Sequence, residues 1–109
     1  MRQKTGDWQF VVIWEFLIKP GAEKRFEKAY GPDGIWAQFF RQDERYIRTE
    51  LIRDLKRERT YLTLDLWTSP EAYEAFRLRH AGEYKEIDVK FEEITESEHE
   101  IGRYGRIGV

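Results

Sequence analysis

Three titratable side chains stand in apolar settings at positions where they could move a proton: His80, Asp65 and Glu15. Tyr73, Phe76 and His80 recur at i, i+3 and i+7, one stripe of a helix that ends in a histidine. The reference pKa of histidine lies near neutrality, which makes His80 the natural proton acceptor. A histidine at a helix end, favoured by the dipole and bonded to a carbonyl, is the simpler explanation of the position. Asp65 alternates with Tyr61, Thr63 and Trp67 on one face of an extended run. It could serve as a polar group in a cavity, pair with an arginine such as Arg48, or make a contact across a dimer. Glu15 lies among apolar neighbours and needs a partner or a polar cavity, because a lone buried carboxylate is costly; an arginine is the expected partner.

Other chemistries lack their residues. The chain has no cysteine, so disulfides and thiolate catalysis are excluded, and its two histidines, His80 and His99, are too isolated to suggest a metal site. Gly31 and Gly34 do not make a phosphate loop, since neither the Lys-Ser/Thr pair nor a preceding strand accompanies them. Ser69 precedes Pro70 and Glu71, the pattern of a helix N-cap, a proline at the first helical position and an acid in the first turn, so it reads as a cap before it reads as a nucleophile. A net charge of −2 argues against electrostatic binding to nucleic acid. The charge is uneven: residues 41–59 hold seven basic side chains against five acidic, and residues 83–100 hold eight acidic against two basic. Solvated faces, or complementary patches across a dimer, would both use such segments. No apolar run reaches the ~18–20 residues of a membrane span, and the first nine residues lack the apolar core of a signal peptide. A soluble cytoplasmic protein with no membrane or nucleic-acid partner is expected.

The elements that must position these groups are legible from periodicity. Residues 9–18 form the most apolar run and read as a strand covered on both faces, with Phe10, Val12, Trp14, Phe16 and Ile18 pointing one way and Val11, Ile13, Glu15 and Leu17 the other. After the Lys19-Pro20-Gly21 turn, residues 22–30 have helical spacing and stop at "GPDG". Ile35, Trp36, Phe39 and Phe40 then occupy one side of a further turn or two of helix, either as core or as a lid over a pocket. Residues 46–53 alternate as a half-polar strand near a sheet edge; residues 54–59 are a polar turn; residues 60–68 are a strand with Leu62, Leu64 and Leu66 on one face. The helix that follows Ser69 is expected to break at Ala81-Gly82 with a glycine cap. Tyr84, Ile87, Phe91 and Ile94 predict a second helix running to Thr95, and residues 99–109 a last, glycine-weakened strand.

This order predicts one α+β domain over residues 1–109, a ferredoxin-like split βαβ with a four-stranded antiparallel sheet whose first and third strands lie in the centre. Helices can cover one face only. The other face stays apolar, which points to a homodimer formed through the sheet. With 16% aromatic residues, some rings can line a cavity for a small apolar or aromatic ligand.

The segments "VVIWEFLIKPGAEKRFEKAYGPDGIWAQFF", "TELIRD" and "YLTLDLWTSPEAYEAF", with the region of His80, resemble the antibiotic biosynthesis monooxygenase-like (ABM) family over residues 8–102. The resemblance implies a dimeric α+β barrel. It also implies, among several activities, oxygenation of small aromatic or polyketide-like molecules without metal, flavin or other cofactor. Such a reaction needs a dry aromatic pocket and a group that takes a proton from the substrate. Trp14, Trp36, Phe40, Tyr73 and Phe76 are the expected walls, and His80 and Asp65 the expected polar groups. A non-catalytic small-molecule-binding or stress-related barrel is the alternative. Haem degradation is similar in fold but uses an Asn on the first strand and a Trp with a His on the second helix. This chain has no Asn and no Trp after Trp67, which disfavours it.

Overall fold

The computed structural model describes residues 8–108; residues 1–7, where a signal-peptide core was not expected, lie outside the described residues. The elements run β1 (Phe10–Ile18), α1 (Glu23–Tyr30), α2 (Ile35–Phe40), β2 (Tyr46–Arg53), β3 (Thr60–Trp67), α3 (Pro70–Arg79), α4 (Ala81–Phe91), a single 3₁₀ turn (Glu92–Ile94) and β4 (Thr95–Gly105). The four strands form one antiparallel sheet in the order β2-β3-β1-β4. This is the ferredoxin-like α+β plan, with the two most apolar strands in the centre and the half-polar β2 at an edge, as the sequence predicts. Among the described residues no helix is long and apolar enough to cross a membrane.

Local chemistry explains the joints. Lys19 and Ala22 close a turn through an N–H to carbonyl bond of 3.1 Å. Pro20 and Gly21 occupy its middle, with Gly21 at φ +88°, a value that favours glycine. At Gly34 the chain passes so close to the Ala29 and Lys28 carbonyl oxygens that any Cβ would collide with them, so "GPDG" is fixed sterically as well as by its turn signals. Ser69 caps α3 by accepting a hydrogen bond from the Ala72 N–H at 3.0 Å, and Pro70 opens the helix.

Three boundaries differ from the expectation. α3 does not end on a glycine. His80 is its C-cap and its carbonyl at once begins α4 by accepting from the Tyr84 N–H, so Gly82 lies inside α4 with open space around it. The second helix loosens into the 3₁₀ turn before Thr95, where the Lys19 N–H binds the Ile94 carbonyl. β4 begins at Thr95 rather than His99, because the whole of β1 offers it a ladder; Ile107 lies beyond it, exposed.

Register decides which residues meet the helices. Antiparallel partners share a face. Val12, Asp65 and Thr49 form one row, and Trp14, Thr63 and Leu51 the next. This face joins Phe10, Val12, Phe16, Ile18, Tyr61 and Trp67 to the helices in one aromatic-rich core. Phe26 stacks on Tyr30 with ring centres 4.3 Å apart, and Phe40 meets Trp67 edge-on at 5.6 Å. The opposite face carries Ile13, Leu17, Leu62 and Leu64, all partly exposed, and Ile52 at 48% exposure; none belongs to that core. Glu15 lies on this face and has the arginine it requires: Arg57 reaches it at 2.5 Å and His99 at 3.2 Å.

Candidate active site

Between the sheet and the helices lies a cavity of about 110 Å³. The sheet supplies its base. β1 contributes Trp14 and Phe16, β2 Thr49, β3 Thr63 and Asp65, and β4 Glu98. The helices supply walls and roof, with Tyr30 from α1, Trp36 and Phe40 from α2, Arg77 from α3, and Tyr84 and Asp88 from α4. All four strands and all four α-helices reach this one space.

Asp65 is its central polar group, with only 8% of its surface exposed. Its Oδ1 accepts a hydrogen bond from the Thr49 hydroxyl at 2.7 Å, and the Tyr46 hydroxyl lies 2.7 Å from the same Thr49 oxygen. A threonine has one proton to give, so with Thr49 donating to Asp65 the Tyr46 hydroxyl donates to Thr49. The chain of three hydroxyl and carboxyl groups fixes the carboxylate on the cavity base. Burial pushes the Asp65 carboxyl up to about 6, against the opposing pull of the Thr49 hydrogen bond. Arg48 is not its partner; it points to the other face and binds Glu50 at 2.7 Å.

The aromatic lining is tightly cross-braced. Trp36 meets Tyr84 edge-on at 4.9 Å and lies 6.0 Å from Tyr30. Burial raises the Tyr30 hydroxyl well above its usual range, and so too that of Tyr84; both stay protonated and can only donate or accept hydrogen bonds. The buried Trp36 Nε1 lies beside the Tyr30 hydroxyl and pulls against the effect of burial on it, although among the described residues it makes no hydrogen bond of full geometry. Arg77 stands over the Tyr84 ring at 4.5 Å and donates to the Tyr73 hydroxyl at 3.2 Å.

Of the residues singled out from the sequence, Asp65, Trp14, Trp36 and Phe40 line the cavity, whereas His80, Tyr73 and Phe76 do not. His80 and Asp65 therefore do not share one space. His80 packs on Phe76 with ring centres 4.4 Å apart and pairs through Nδ1 with Glu83 at 3.1 Å. Tyr73 and Phe76 are buried in the core beside Trp67, and Tyr73 bears on the cavity through Arg77. Thr49, Arg77, Asp88 and Glu98 escaped the sequence reading. Thr49 had a usable signal, since it alternates with Leu51 on a strand beside Asp65; the other three sit in charged stretches that look like ordinary solvated surface. Among the described residues no cluster of His, Cys, Asp or Glu could hold a metal ion.

None of the curated proteins matches the chain. Solved structures do match it in fold. SnoaB, a cofactor-independent oxygenase from Streptomyces nogalater, superimposes with a TM-score of 0.73 at 16% identity, over 94% of this chain and 96% of that one. The protein SO0527 from Shewanella oneidensis gives 0.65 at 21% identity, over 93% of each chain. PA3566 from Pseudomonas aeruginosa gives 0.65 at 12% identity, over 93% of this chain and 96% of its own. The family model for antibiotic biosynthesis monooxygenases matches residues 9–87, a span from β1 into α4 that carries most of the cavity. The ferredoxin-like sheet, the cavity beneath its helices and this match agree: the chain belongs to the antibiotic biosynthesis monooxygenase family.

Proposed function

We propose that the protein is a cofactor-independent monooxygenase that oxidises an activated methylene or ring carbon of a small aromatic substrate, with Asp65 as the base. The observation that carries this reading is a single buried carboxylate, held by Thr49 on the base of an aromatic cavity and shifted to about 6. Such a group is ionised at neutral pH yet basic enough to accept a proton, which is the balance general-base catalysis requires.

Proton loss to Asp65 leaves a delocalised substrate anion against Trp14, Trp36 and Phe40. That anion passes one electron to O₂, and the two radicals combine to form a carbon–oxygen bond. The resulting peroxide takes the proton back and, for a methylene substrate, eliminates water: CH₂ and O₂ become C=O and H₂O. Tyr30, Tyr84 and the Trp36 N–H are the neutral donors available to the developing oxygen charge. The cavity is close in volume to one that holds benzene, roughly 150 Å³, so it accommodates the reacting ring while larger substrates extend through its mouth.

We also infer that two copies associate through the uncovered sheet face, where Ile13, Leu62, Leu64 and Ile52 surround the neutralised Glu15.

Oxygen uptake with anthrone-type and quinol-type substrates in metal-chelated buffer tests the activity. The wild-type protein is expected to consume oxygen, Asp65→Asn to lose about 10²-fold or more in rate, and His80→Ala to stay near wild type. The rate should rise with pH through about 6, as the base loses its proton. Uptake by Asp65→Asn equal to wild type would overturn the assignment.

A further inference from the structure

The cavity carries a charge pattern that the proposed chemistry does not require. Beyond Asp65, its lining includes Asp88 on α4 and Glu98 on β4, so three carboxylates face one guanidinium, Arg77. Neither Asp88 nor Glu98 forms a salt bridge within 4 Å among the described residues. Arg77 and the solvent-facing Lys85 act on Asp88 from a distance and do not offset it: burial and repulsion from Glu92 hold its carboxyl above the usual range. Glu98, an exposed residue at the cavity's edge, is raised too, by desolvation and then by Asp88. Arg77 is itself occupied, placed over the Tyr84 ring and donating to Tyr73. The carboxylates do not converge on a point that could hold a metal ion. They are spread along a cavity whose other walls are the π-faces and edges of Trp14, Tyr30, Trp36 and Tyr84. Aromatic rings with nearby unpaired carboxylates form a favourable setting for an organic cation. Trp36, only 7% exposed, and the Tyr30 hydroxyl beside its N–H line the same space and offer hydrogen bonding to a neutral oxygen.

We propose that the cavity selects aromatic substrates bearing a cationic amine: the ring and its hydroxyl enter towards Asp65 and Trp36, and the ammonium group remains between Asp88 and Glu98. This rests on the cavity being the substrate site of the proposed oxygenase, and it narrows the substrate class to phenols bearing an aminoalkyl group and their fused-ring relatives. An anionic substrate would meet the same two carboxylates at close range and be rejected.

Binding without turnover separates the two ideas. Tyramine, 4-ethylphenol and 3-(4-hydroxyphenyl)propionate share one phenol and differ only in a positive, neutral or negative tail. Calorimetric titration under nitrogen should rank them in that order, with about tenfold in Kd between neighbours and a smaller spread at high salt. The double variant Asp88→Asn/Glu98→Gln should bring all three to a similar Kd while leaving 4-ethylphenol unchanged, which also shows that the variant is folded. Equal binding of the three by the wild type, or tighter binding of the propionate through Arg77, overturns the charge selection and leaves the oxygenase reading intact. Absence of binding by every phenol overturns the selection together with the cavity's role as a phenol site. Oxygen uptake that is unaffected by Asp65→Asn overturns the catalytic assignment alone.

Discussion

Asp65 costs the folded protein stability at neutral pH, and the proposed reaction relies on the same carboxylate. Its carboxyl has a higher pKa in the folded protein than in the unfolded chain, so the folded state binds that proton more tightly. Its contribution is therefore fully present below the unfolded value near 3.8 and is lost as the pH rises through about 6. The span corresponds to about 3 kcal/mol. Replacing the carboxylate by the isosteric amide keeps an acceptor for Thr49 and removes the charge. Asp65→Asn should consequently gain about 3 kcal/mol relative to wild type between about pH 3.5 and about pH 8, measured by urea unfolding at both. A pH-independent difference would mean that Asp65 is not the group whose burial the fold opposes. An asparagine that stabilises the protein while removing oxygen uptake would be the signature of a residue kept for function.

At the level of elements, α3 and α4 matter because they close the cavity from above with Arg77, Tyr84 and Asp88. Their relative direction is set at His80, which ends one helix and starts the next within a single residue. The ring of His80 packs at a tilt against Phe76 and pairs with Glu83, a role in joining two helices that accounts for its place at the end of the Tyr73–Phe76 stripe. The start of α3 depends on Ser69, whose oxygen satisfies the Ala72 N–H. Ser69→Ala should cost about 1 kcal/mol, read as a lower urea midpoint with an unchanged denaturant slope. A loss near zero would show that Pro70 and packing suffice to begin the helix.

For the whole molecule the decisive asymmetry is between the two faces of the sheet. The face under the helices holds polar Thr49, Thr63 and Asp65 among aromatics, whereas the uncovered face is rich in leucine and isoleucine. A monomer would leave that second face in water at a cost that scales with its area. The wild-type protein should sediment as a dimer at micromolar concentration. Leu64→Glu, which places a charge at the centre of the face without entering the core, should sediment as a monomer with an unchanged far-ultraviolet circular dichroism spectrum. A wild-type monomer at that concentration would overturn the sheet-face interface.

β1, β2, β3 and the Ser69 cap were readable in the chain because each rests on local periodicity or on a short-range hydrogen bond, and these depend on residues a few positions apart; the central place of β1 and β3 followed from the ferredoxin-like plan. So was the need of Glu15 for an arginine, since the cost of burying a carboxylate is independent of the fold; that the arginine is Arg57, with His99 beside it, required the sheet. The site was legible only in part. Asp65, Trp14, Trp36 and Phe40 could be picked out as a polar group and large rings on inward faces. His80 satisfied the same helical stripe, yet a stripe also serves packing, and the packing of His80 against Phe76 follows from where α3 meets α4. Thr49, Arg77, Asp88 and Glu98 come from four elements between 10 and 49 residues apart in pairs along the chain. These groups come to line one space only when register in the sheet and the angle of the helices bring them together, which is a property of long-range packing and leaves no periodic trace in the sequence.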